Sequence, residues 1–236
     1  MASEQLTNTS PIQVGVRRGQ TPTAGPGASA PPLGEPGGWR SQFANPRGFG
    51  GRLAGWLMAR KNAAMNDNLV EWLQLSPADR VLEIGFGHGR TLARIALRTP
   101  SGIVAGVDPS PEMLRMASRR NRAAVQSGLV ELALGSAEAL PHPDARFDKL
   151  LAANCVQFWD LGRAFAEARR VLRPGGTLLL GIRMRETKQR RFASPGFSEA
   201  RVEALHAPLE RAGFALRSER GRAGGREVLG LFATRR

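Results

Sequence analysis

The chain has 236 residues, 42% of them hydrophobic, enough for one well-buried core of ordinary domain size and too few for two. A single cysteine, Cys155, excludes an intrachain disulfide, a zinc knuckle and an iron–sulfur cluster, and no metal site is expected. The formal charge of +14 invites a phosphate-binding reading, but it is spread along an arginine-rich chain whose only lysines are Lys61, Lys149 and Lys188, so a solvated basic surface is the expectation.

Residues 1–38 are rich in Pro, Gly, Ser and Thr, with almost no periodic apolar content. They read as a disordered tail. Residues 39–75 begin with Trp39, Phe43 and Phe49, and from Leu53 apolar residues recur at three- and four-residue steps. That is the period of an amphipathic helix or a broken pair, a helical lid segment ahead of the main domain at 76–236. After Ser76-Pro77 the pattern changes to short apolar runs at 80–84, 103–107, 130–134, 147–153 and 177–182. Helical patterns at 89–97, 111–126 and 161–172 lie between them. Buried strands alternating with helices predict an α/β fold with a parallel sheet covered on both faces. A helix is predicted at 198–212, followed by strands at 214–219 and 227–234 joined by the glycine-rich 221–225. Two strands so closely linked pair antiparallel. No stretch approaches the length of a membrane span, and a cytoplasmic protein is expected.

The first strand ends in Val81-Leu-Glu-Ile-Gly-Phe-Gly-His-Gly89, with glycines at alternate positions before a helix. Glycines here allow a tight turn and close approach of backbone to a ligand, and the helix N-terminus offers free N–H groups. A dinucleotide fingerprint counted from Gly85 would place its third glycine at Arg90, which argues against NAD and FAD. Glu83 would repel a pyrophosphate but suits a cationic ligand, and the loop lacks the lysine of a nucleoside triphosphate site. Asp108, ending the second strand, is placed to accept from two adjacent ribose hydroxyls.

These residues resemble the class I S-adenosylmethionine-dependent methyltransferases, from about Asn68 onward. The family's E-x-G-x-G-x-G pattern stands as Glu83, Gly85, Gly87 and Gly89. Gly135-Ser-Ala-Glu-Ala-Leu-Pro141 is similar to its adenine-binding segment, Phe147-Asp148 to its fourth strand and Leu172-Arg-Pro-Gly-Gly176 to the turn before its fifth. The resemblance implies a Rossmann-like seven-stranded mixed sheet with the last strand antiparallel. It also implies that Glu83, Gly85 and Gly87 hold the methionine half of S-adenosylmethionine, with Phe86 and Gly89 among the cofactor-binding residues, and Asp108 the ribose. Pro109 and Met113 would pack near the adenine, Ala137 would meet its edge, and Asn154 would sit beside the methyl. The family usually has an acid where Ser136 stands. A hydroxyl accepts more weakly from the adenine amino group, unless Glu138 substitutes.

Methyl transfer from a sulfonium needs mainly alignment, so the acceptor leaves few marks. Asn154-Cys-Val-Gln157 lacks the Pro-Pro-aromatic run with which related enzymes grip a base amine. Gln157, Phe158 and Trp159 follow the fourth strand and are expected to line the acceptor pocket, with Trp159 as core the competing reading. A small-molecule acceptor is expected. The alternatives are RNA or another anionic substrate presented by the basic run 183–191, and a cofactor- or RNA-binding protein without catalysis.

Overall fold

The computed structural model describes residues 63–185 and 196–236. The tail at 1–38, most of the lid segment and most of the basic run 183–191 lie outside the described residues. Helix α1 occupies 63–72. It is followed by β1 (Arg80–Ile84), α2 (Arg90–Arg98), β2 (Ile103–Asp108), α3 (Pro111–Arg120), α4 (Arg122–Gln126), β3 (Val130–Leu134) and β4 (Phe147–Ala153). Then come α5 (Leu161–Val171), β5 (Leu172–Arg183), α6 (Glu199–Glu203), α7 (His206–Arg211), β6 (Phe214–Ala223) and β7 (Arg226–Arg235).

The strands form one seven-stranded sheet in the order β3-β2-β1-β4-β5-β7-β6. Neighbours from β3 through β5 run parallel, and β7 runs antiparallel to both β5 and β6. The expected mixed sheet with an antiparallel last strand is therefore present. Alternation along the strands sorts the core into two layers. Val81, Leu151 and Leu179 pack with Leu69, Leu92, Ile95 and Ala117 from α1, α2 and α3. Leu82, Leu150 and Leu180 pack on the other face with Phe165, Val202 and Leu209 from α5, α6 and α7.

Local chemistry starts and stops the helices. Ser110 caps α3 by accepting from the Met113 N–H, with Pro111 in its first turn, and the Asp160 carboxylate caps α5 by accepting from the Arg163 N–H at 3.2 Å. The single helix predicted over 111–126 is two, broken at Asn121. That side chain turns back to donate to the Gly89 and Ala117 carbonyls at 3.0 and 2.9 Å, and its backbone leaves helical geometry. The helix predicted at 198–212 is likewise split into α6 and α7, Pro208 lacking the N–H that would continue one helix through it. The link at 221–225 shrinks to a two-residue turn, Gly224-Gly225, both at positive φ as a tight hairpin requires. Gly221 is instead in β6, where a Cβ would meet the Trp72 ring at 2.8 Å. β5 begins at Leu172, earlier than predicted, because Leu172 pairs with Phe147 before a register shift.

All the parallel strands end on one edge of the sheet. The chain order reverses between β1 and β4, and in such sheets the crevice at that reversal accepts ligands. The loop after β1, the end of β2 and the end of β4 meet there.

Candidate functional site

The loop from Gly85 to Gly89 is pinned to β2 by the Gly85 N–H donating to the Val107 carbonyl at 2.7 Å, and closed by the Gly89 N–H donating to the Phe86 carbonyl at 3.0 Å. Gly85 and Gly87 have φ of 76° and 54°, which L side chains rarely adopt. A Cβ on Gly87 would meet nothing within 4 Å, so backbone is presented to open space. Phe86 turns its ring into the core and contributes to the loop through its backbone. Gly89 serves packing: a Cβ there would stand 2.7 Å from both Ala117 Cβ and Asn121 Nδ2.

Asp108 is buried, and its two oxygens accept from the Gly87 and Ser110 N–H groups, each at 2.9 Å. These bonds hold the carboxylate in register with the loop and leave each oxygen a second lone pair. Burial raises its pKa against the lowering effect of those bonds. Pro109 is exposed beside it, and Met113 is buried one helical turn further on.

Glu83 is 2% exposed. Burial pushes its carboxyl well above the usual carboxylate range, opposed by the neighbouring Thr91 hydroxyl and Leu92 backbone N–H and reinforced by the nearby Asp108 charge. Its Oε2 is buried with no partner among the described residues. An orphaned carboxylate oxygen in a crevice is satisfied by a ligand that brings positive charge and N–H donors. This fits a cationic amino acid end and would disfavour a pyrophosphate. A cation at this site would compete with the proton, so its binding is expected to weaken as the pH falls through the raised Glu83 pKa.

At the end of β4, Asn154 holds a φ of 53°. It is fixed on three sides: its Oδ1 accepts from the Arg183 N–H at 3.1 Å, its N–H donates to the Gly181 carbonyl at 2.9 Å, and its Nδ2 lies 3.3 Å from Met65 Sδ. Cys155 is tucked under the glycine loop, its thiol 3.3 Å from the Ile84 carbonyl and its pKa pushed far up by burial. In the adenine-type segment Ala137 is buried and Ser136 is bridged to Ala139. Glu138 accepts from the Asp160 N–H at 3.0 Å, which ties that segment to the start of α5.

Of the three residues after β4, Gln157 donates its Nε2 to the Asn154 carbonyl at 2.7 Å, and its Oε1 is buried without a partner among the described residues. Phe158 is 41% exposed. Trp159 is in the core, its ring edge-on to Phe165 with centroids 6.3 Å apart, so the competing reading describes its side chain. Met65, Asn66 and Thr91 were not singled out by sequence. Thr91 carried a readable signal, being a hydroxyl in the first turn of the helix that follows a buried acid.

Residues 82–180 match a family described as a methyltransferase domain. The chain is 31% identical over 163 residues to the uncharacterized methyltransferase YdaC of Bacillus subtilis, a match covering 69% of this chain and 86% of the relative. It is 35% identical over 118 residues to the 27-O-demethylrifamycin SV methyltransferase of Amycolatopsis mediterranei, covering 50% of this chain and 43% of that protein. In fold it is similar to a SAM-dependent methyltransferase from Aquifex aeolicus, with a TM-score of 0.62 at 22% identity, covering 75% of this chain and 92% of the other.

Proposed function

The chain belongs to the class I S-adenosylmethionine-dependent methyltransferases, and we propose that this enzyme's acceptor is a small organic molecule met in the cytoplasm. When bound, the cofactor supplies a methyl group on a sulfonium whose sulfur departs neutral. In this reading Glu83 receives the amino end of the cofactor, while Gly85 and Gly87, with the backbone of Phe86, let it approach closely. Gly89 holds the loop against α3. Asp108 takes the ribose hydroxyls on its second lone pairs, Pro109 and Met113 flank the adenine, and Ser136 and Ala137 meet its edge. Asn154, locked by backbone and side chain, borders the transferred methyl. Gln157 and Phe158 face the acceptor, with Trp159 supporting them from the core.

The observation that carries a small acceptor is the course of α1. Its Asn66 bonds to Thr91 behind the β1 loop, and the neighbouring Met65 touches Asn154 at the end of β4, so one helix spans both sides of the crevice and narrows the approach. The named acceptor of the Amycolatopsis relative, a small molecule, supports the same class. The test is transfer from methyl-labelled S-adenosylmethionine to a panel of hydroxylated and amino aromatic compounds, with total RNA in parallel. Label is expected in the small molecules at a rate little affected by salt. Label appearing in RNA, and lost steeply as ionic strength rises, would contradict the proposal.

A further inference from the structure

Three charge pairs set how α1 lies on α2. Asp67 reaches Arg90 at 3.4 Å and Arg94 at 3.0 Å, and Glu71 pairs with Arg98 one turn on. The positions on α2 are four apart, so the pairs run along one face and fix the register of the two helices. That register lays Asn66 beside Thr91, with Nδ2 donating to the Thr91 hydroxyl oxygen at 2.9 Å. The same hydroxyl stands beside the Glu83 carboxylate and acts to lower its pKa against the effect of burial. A polar chain therefore runs from Asn66 through Thr91 to Glu83.

Each end of this chain carries a buried oxygen with no partner among the described residues, Asn66 Oδ1 and Glu83 Oε2. One hydroxyl separates the two groups that bear them. Leaving two acceptors dry costs stability unless a donor arrives to meet them. A sulfonium has no N–H to give, whereas an ammonium has three. The matching part of the cofactor is its amino group.

We propose that Asn66 is a positioning residue for the cofactor: it orients Glu83 through Thr91, and its own Oδ1 joins Glu83 Oε2 in receiving the amino group. This rests on the cofactor placement proposed above. The helix ahead of the sheet is thus part of the cofactor site, although it lies outside the glycine loop.

The test uses two probes on the full chain, S-adenosylhomocysteine, which carries the amino group, and 5′-methylthioadenosine, which lacks the amino acid end. Asn66→Leu and Thr91→Val are each expected to weaken S-adenosylhomocysteine about tenfold, the scale of one hydrogen bond to a charged group, and to leave methylthioadenosine within about twofold. Thr91→Ser keeps the hydroxyl and is expected to bind both as wild type does. Asn66→Ala, benign to a helix, serves where the leucine variant folds poorly. Unchanged S-adenosylhomocysteine affinity in the Asn66 variants would overturn the proposal, as would equal losses for both probes, which mark a merely structural role. Wild-type protein binding neither probe would instead remove the cofactor placement on which it rests.

Discussion

Asp108→Ala weakens binding of S-adenosylhomocysteine by about 2 kcal/mol, near thirtyfold in Kd, the cost of removing a charged acceptor from ribose hydroxyls. The carboxylate stands between two backbone donors, Gly87 and Ser110, that hold it where β2 meets the loop. Removing it also strips both N–H groups of their acceptor, so the loop keeps only its backbone tie from Gly85 to Val107 and the variant melts earlier as well. Asp108→Asn keeps one acceptor oxygen and is expected to fall between. Isothermal calorimetry on the three proteins reads the series; an affinity unchanged in the alanine variant would mean that the ribose lies elsewhere.

Gly89→Ala carries an equally large effect of a different kind. The added Cβ would stand 2.7 Å from Ala117 Cβ and 2.9 Å from Ala117 Cα, and a backbone atom cannot swing aside as the end of a long side chain can. The residue also sits at φ 77°, where an L side chain is strained. Overpacking and left-handed strain together cost about 3 kcal/mol, a fall of roughly 6 to 12 °C in melting temperature for a domain of this size. The affinity of the folded protein should change little. A variant that melts normally but binds weakly would show Gly89 to be there for the ligand and not for α3.

The two substitutions mark where reading from sequence succeeds and where it stops. The place of Asp108, a buried acid ending the second strand after a glycine loop, was legible from the sequence, and its role toward the ribose is what the alanine series tests. Gly89 was legible as part of the loop, but its packing against Ala117 and Asn121 was not, since they reach it only once α3 is folded against α2. The alternation of apolar runs gave the strand order's raw material, and the short final link gave the antiparallel pair. The break at Asn121 was invisible because that side chain bonds to a carbonyl 32 residues away. Trp159 was ambiguous for a similar reason: a large aromatic after a strand suits a pocket or a core, and only its meeting with Phe165 decides. Asn66 and Thr91 were missed because neither type marks a site alone; their meaning lies in the register of α1 on α2.

The account stands on Glu83 and the glycine loop forming a receptor for a cationic sulfur nucleoside. The direct measurement is calorimetric titration of the full chain with S-adenosylmethionine, S-adenosylhomocysteine and NAD, over a series of pH values from neutrality downward. Both sulfur ligands are expected to bind, less tightly once the pH falls through the raised Glu83 pKa, and NAD is expected not to bind. Binding of NAD, or failure of both sulfur ligands to bind, would contradict a receptor for a cationic sulfur nucleoside built on Glu83 and the glycine loop.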